Sequence, residues 1–238
     1  MSDFDFTRLP DTSEEEVALA LTRLGLTSLP VIGAPAAEIL GLIVTPMINK
    51  RRNEWLEALG KALVALEWRV QAVNLERLSQ DEVFVTIATH ATMLAMRNHQ
   101  REKLEALRNA VLNATLPSAP DDDLQLIFLN LVDMLTASHL RLLKVLNNPS
   151  EWMQRHGIAN PDKSMKIGVD LIEWAFPEWR SHRDYYHLLA NELYRREMLD
   201  NSWNDTVKPS RTSEFGKQFL EFITSPMPAH NTPTDTAC

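Results

Sequence analysis

Arg183, His187, Asn191 and Arg195 recur at four-residue steps, so a helix across them sets all four on one face. These side-chain types can donate to phosphate oxygens and base edges, as a recognition helix does in nucleic acid. Lys208 and Arg211 follow within reach of a phosphate backbone. Against that chemistry, Asp184, Glu192, Glu197, Asp200, Asp205 and Glu214 interleave with the donors and nearly cancel their charge. The face is therefore read first as a protein-docking surface, with nucleic acid as the alternative partner. Trp152, Trp174, Trp179 and Trp203 crowd the same half of the chain, and tryptophan is enriched where partners dock as well as in cores.

No other stretch carries recognisable chemistry. His182 and His187 lie five apart, which does not align two ligands on one helical turn, and no His-Glu-x-x-His pattern accompanies them. His90 and His99 are nine apart across an expected helix break. No Gly-rich phosphate loop and no Gly-x-Ser-x-Gly elbow occurs. Asp121-Asp122-Asp123 reads as a helix start, and Asn160-Pro161-Asp162-Lys163 as a turn. The expectation is a non-enzymatic protein with no catalytic residue, metal or cofactor. An active site assembled from distant helices would leave no local motif and stays open.

The elements that must position the row are helical. Leu and Ala abound while Gly numbers only 7 in 238 residues, which favours helix over sheet. The single cysteine, Cys238, excludes an intrachain disulfide framework and a thiolate zinc site, pointing to a reducing cytoplasm. The net charge of −8 argues against indiscriminate nucleic-acid binding.

Residues 1–11 read as a flexible leader, and a helix follows from Thr12 or Ser13 to Leu24. The window from Leu24 to Met47 is the most apolar in the chain, approaching the roughly 20 residues a membrane span needs. Pro30, Gly33, Pro35 and Pro46 interrupt it, and Glu38 sits at its centre. The first reading is a buried, broken helix with Leu29, Ile32, Ile39, Leu40, Leu42 and Ile43 in the core. The alternative is a membrane-inserting segment with Lys50, Arg51 and Arg52 as its headgroup anchor.

From Asn49 to about Leu78 an amphipathic stripe of Trp55, Leu59, Leu63, Leu66 and Val70 predicts one helix. Ser79 with Glu82 predicts a capping box for the next, and Asn98 predicts the N-cap of a third. Pro117 and Pro120 mark the expected boundary between a helical bundle over 12–116 and a second domain over 121–224. That domain reads as winged-helix-like: helices at Ala137–Leu146, Lys166–Phe176 and Arg183–Leu199, a small β-hairpin as the wing over Asp200–Arg211, and a helix opened by Thr-Ser-Glu-Phe-Gly. Residues 225–238, rich in Pro and Thr, read as a disordered tail.

Four segments together carry a family resemblance. They are PVIGAPAAEILGLIVTP, REKLEALRNAVLNATL, DLQLIFLNLVDMLTASHLRLLKVL, and LANELYRREML followed by TSEFGKQFLEFI. Over roughly residues 28–224 the chain resembles the uncharacterised bacterial helical proteins of the abortive-infection alpha type. The polar stretch Ser150–Ser164 is longer than that pattern. The resemblance implies an anti-phage or mobile-element setting and no known active site. The expected function is a sensor, effector or regulator acting through protein contacts. The alternatives are a DNA-binding regulator and a membrane-active effector, and self-association is open.

Overall fold

The computed structural model describes residues 36–157, 167–200 and 210–227. The expected leader, the first helix, most of the wing and most of the tail lie outside them. Among the described residues the regular structure is helical, with one isolated antiparallel bridge between Leu199 and Thr212.

Helix α1 runs from Ala36 to Glu67 and contains Pro46. The expected interruption at Pro46 does not occur: the helix continues through a residue that cannot donate to the Leu42 carbonyl. The chain divides into two compact units between Arg51 and Arg52, within α1. In the second unit α1 buries Trp55, Leu59 and Leu66, and the Trp55 indole N–H donates to Thr92 Oγ1 at 3.0 Å.

The helix expected to reach Leu78 ends at Glu67 instead. Its last carboxylate accepts the Leu75 N–H at 2.9 Å, fixing the start of the single-turn helix α2, Leu75–Leu78. Leu66 and Val73 stay buried across the intervening turn, and Val70 packs beside them, so apolar spacing persists where the backbone is no longer helical.

Helix α3, Glu82–Arg97, is capped by Asp81 rather than Ser79. Asp81 Oδ1 accepts the N–H groups of Val83 and Phe84 at 3.0 and 3.1 Å, whereas Ser79 Oγ donates to Glu76 O and closes α2. Asn98, expected to open the next helix, closes α3: its amide donates to Leu94 O at 2.8 Å and Asp133 Oδ1 at 3.3 Å. Helix α4 starts at Arg101 and runs to Ala114. Its Lys103 ammonium, buried, donates to the Asp133 carbonyl at 2.7 Å, a cation at the C-terminal end of helix α5, Asp122–Met134. Burial lowers the Lys103 pKa, and the Asp133 carboxylate opposes that shift.

Thr136 caps helix α6, Ala137–Asn147, and the short helix α7 follows at Pro149–Arg155. Helix α8 spans Ile167–Ala175, a 3-10 turn Pro177–Trp179, helix α9 Arg183–Arg195 and helix α10 Glu214–Ile223. One apolar cluster extends from Trp55 to Ile223 and crosses the Pro117–Pro120 stretch, so the helices before and after it share a core. Phe128 of α5 sits at its centre, with the rings of Phe215, Phe219 and Phe222 at 5.4, 5.5 and 5.6 Å. Two asparagines of α4 tie α10 down from the other side: Asn109 donates to Ile223 O, and Asn113 to Phe222 O and Thr224 O.

Candidate partner-docking face

Helix α9 carries the predicted row. Its inner side buries Tyr186, Leu189, Ala190 and Leu193 against the core. That spacing of three and four turns Asp184, His187, Leu188, Asn191 and Arg195 outward. His187, Asn191 and Arg195 are exposed on one face, as their four-residue steps predict. Arg183 opens the helix; its side chain lies outside the description, as does Lys208 entirely. Arg211 is half-buried away from that row: its N–H donates to Leu146 O, and its carbonyl accepts the Asp200 N–H, both at 2.9 Å.

The outer face also carries what the donor row alone does not suggest. Leu188 is 64% exposed, Tyr185 one turn before it is partly exposed, and Tyr194 is partly exposed farther round the helix. Glu192 is engaged by Arg196 at 2.7 Å, which leaves Asp184 and Arg195 as opposite charges among the other described side chains of the face. The face is thus nearly neutral and rich in aliphatic and aromatic surface.

A stack of rings fixes one margin. Phe176 and Trp179 stack at 4.0 Å, and Tyr185 meets Trp179 edge-on at 5.6 Å. The Arg141 guanidinium lies 5.0 Å from the Phe176 ring centre and 5.8 Å from that of Trp179, and bonds Glu178 at 2.9 Å. The Glu178 carboxyl is held below its ordinary pKa, first by its own backbone N–H and then by Arg141. The crowding of tryptophans is visible in the sequence, but the Arg141–Glu178 bond that sets Arg141 beside Trp179 spans 37 residues and no local spacing reveals it.

The far end of α9 is locked by the chain that follows. Glu197 adopts φ 57°, Glu197 N–H bonds Tyr194 O, and Met198 N–H bonds Leu193 O, closing a Schellman turn. The bridge Leu199–Thr212 then returns the chain to α6, where Thr212 Oγ1 donates to Asn147 Oδ1 at 2.6 Å.

The apolar segment proposed for core or membrane is described only in part. Leu29 and Ile32 lie outside the described residues; Ile39, Leu40, Leu42 and Ile43 belong to the helical backbone of α1, their side chains outside the description. Lys50 and Arg52 are exposed and Arg51 is half-buried. Among the described residues no single helix is long and apolar enough to cross a membrane. The bent pair α5 and α6 reaches that apolarity only jointly, and Phe128, Leu129, Leu142 and Leu143 place it in the core.

A cleft of about 510 Å³ opens between the Ser118–Asp121 loop and α10, edged by Asn113, Gln218 and Glu221. Two of its polar side chains are already engaged: Asp121 caps α5 and Asn113 holds the carbonyls of α10. Among the described residues no group of three or more His, Cys, Asp or Glu could hold a metal ion. No family model, no curated protein and no solved structure matches this chain.

Proposed function

We propose that this chain is a non-enzymatic interaction protein that docks a protein partner on the outer face of α9, in an anti-phage or mobile-element setting. The observation that carries the docking face is its composition: Leu188 stands 64% exposed with Tyr185, Asn191 and Arg195 at helical steps of three and seven from it, on a helix whose inner side is already filled. Tyr and Arg are among the residues enriched at desolvated interface hot spots. A near-neutral face also lacks the excess charge that phosphate binding requires.

The C-terminal region is read as winged-helix-like. The reading is supported by the order α6, α8, α9, by the packing of α9 on α6, and by the antiparallel bridge Leu199–Thr212 at the root of a wing. The defence setting rests on the four resembling segments alone.

Phage plating on cells with the wild-type chain, Leu188→Asp or Arg195→Glu tests both parts. The expected result is protection by the wild type that each substitution abolishes at unchanged protein level. Unchanged plaque counts over a broad phage panel with the wild type would remove the defence setting. Protection indifferent to both substitutions would remove the docking face.

A second reading, DNA binding, is favoured by one observation: His187, Asn191 and Arg195 share the exposed side of α9. A gel shift at low salt that weakens with Arg195→Glu and with added salt would transfer the face to nucleic acid.

A further inference from the structure

Helix α1 carries a second, unrelated ridge. Within the second unit, Arg52, Leu56, Gly60, Val64 and Trp68 follow one another at four-residue intervals, an exposed row that winds from the margin of the buried Trp55, Leu59 and Leu66 to the side opposite them. Leu56 is 44%, Val64 46% and Trp68 84% exposed, and Arg52 and Gly60 are exposed as well. Trp68 stays in register because its N–H still bonds Val64 O at 3.2 Å.

Gly60 is the residue that needs explaining. Glycine inside a helix lowers stability relative to alanine. Nothing in the fold requires it, since a Cβ added there meets nothing within 4 Å. A residue without a side chain at the centre of an exposed apolar ridge is suited to the close approach of another helix.

We propose that α1 pairs with α1 of a second copy of this chain, antiparallel across a two-fold axis at Gly60. The ridge is self-complementary about that point. The axis sets Gly60 against Gly60, Leu56 of each copy against the partner's Val64, and Arg52 of each copy against the partner's Trp68. Guanidinium over indole is a favourable cation–π pair, and it occurs twice. Ridges made of residues four apart interdigitate at about −50°, so the helices diverge away from the crossing. Roughly 12 Å along the axis from Gly60 stand the two longest side chains of the ridge, Arg52 and Trp68, which can span the widening gap. The exposed Glu57–Lys61 pair flanks the ridge, and the same axis brings Lys61 beside the partner's Glu57, giving the apolar seam a charged rim. A single helix crossing is small for a stable interface, so association falls on the order of micromolar.

Sedimentation equilibrium of the full chain over a wide concentration range tests this. The wild type is expected to reach a dimer reversibly. Gly60→Leu should abolish the dimer while leaving the melting temperature unchanged or higher, because its side chain enters open space in the monomer. Arg52→Trp and Trp68→Arg should each weaken dimerisation by roughly tenfold, and the double exchange should return it to within about threefold of wild type. The exchange separates specific pairing from a folding defect, which it would not repair. A chain monomeric at every concentration would overturn the proposal. So would a dimer indifferent to Gly60→Leu, or one that the double exchange leaves as weak as either single variant.

Discussion

Gly216 lies against the backbone of Met198: a Cβ added to the glycine would stand 2.3 Å from the Met198 carbonyl oxygen and 3.1 Å from its carbonyl carbon. The contact belongs to a small knot at the end of α9. Ser213 caps α10 by accepting the Gly216 N–H at 2.9 Å, and its own N–H donates to Met198 O at 3.1 Å. The obstacle is main chain fixed at both ends, not the tip of a side chain that could swing away. Glycine is needed here for proximity, not for an unusual φ.

Gly216→Ala should therefore destabilise the fold even though alanine is the better helix former. The expected loss is about 2–3 kcal/mol, at the upper end of overpacking in a filled core. Urea unfolding of the variant measures it. A midpoint at or above wild type would mean that α9 and α10 can separate without loss.

Glu197 should respond in the opposite direction. It occupies the left-handed position of the Schellman turn with φ 57°, where a Cβ is strained and glycine is favoured. It also sets a negative charge at the C-terminal end of α9. Glu197→Gly is expected to raise stability by about 0.5–1 kcal/mol after the entropy it adds to the unfolded chain. Glu197→Gln removes only the charge, so its thermal melt should recover the smaller part of that gain.

How far the fold was legible depended on whether a signal was local. The Ser213–Glu214 start of α10, the Asn147–Pro149 break and the row on α9 all follow from residues within one turn of each other. The end of α1 does not. Leu66, Val70 and Val73 keep helical spacing through a turn, and what stops the helix is Glu67 reaching the Leu75 N–H, a bond no periodicity announces. Asn98 and Ser79 misled for a related reason: both are good N-cap residues, and each bonds the carbonyl of the helix before it. The Pro117–Pro120 stretch reads as a hinge because it cannot be helical, yet α4 and α10 close over it through Asn109 and Asn113. On the candidate face the donors were legible by spacing. The exposed Leu188 and the Arg141–Trp179 margin were not, since they depend on which side the core takes.

Asn113 offers a test of that closure. Its amide faces Phe222 O at 2.7 Å, Thr224 O at 2.8 Å and Glu221 O at 3.3 Å, all acceptors at the end of α10. Asn113→Asp keeps the shape but turns an acceptor toward acceptors, and near pH 7 it should cost about 2–3 kcal/mol, more than Asn113→Ala. The surrounding carbonyls would favour the protonated carboxyl, raising its folded pKa above the unfolded value. Its stability should then recover as the pH falls toward about 4, the reverse of ordinary acid denaturation. Denaturant midpoints of both variants at neutral and mildly acidic pH measure the difference.

His139 should contribute to the pH response of the native chain. Its Nδ1 accepts the Thr136 N–H at 3.1 Å, completing a capping box at the start of α6, and its Nε2 is buried without a hydrogen-bond partner. With Nδ1 accepting, the neutral ring carries its proton on Nε2, and a second proton would have to take the Nδ1 lone pair and break the cap. Burial pushes the pKa below the ordinary 6.5; Glu192 opposes that shift and Arg196 adds to it. Above pH 6.5 both folded and unfolded states are neutral and the stability is complete. Below it the unfolded chain takes up a proton that the native state refuses, so stability falls until the folded pKa is reached. Glutamine is the usual third residue of a capping box and does not titrate. His139→Gln should therefore hold α6 in place and flatten the dependence of the melting temperature on pH between neutrality and mild acid. If wild type and variant lost stability in parallel over that range, His139 would not be the group responsible.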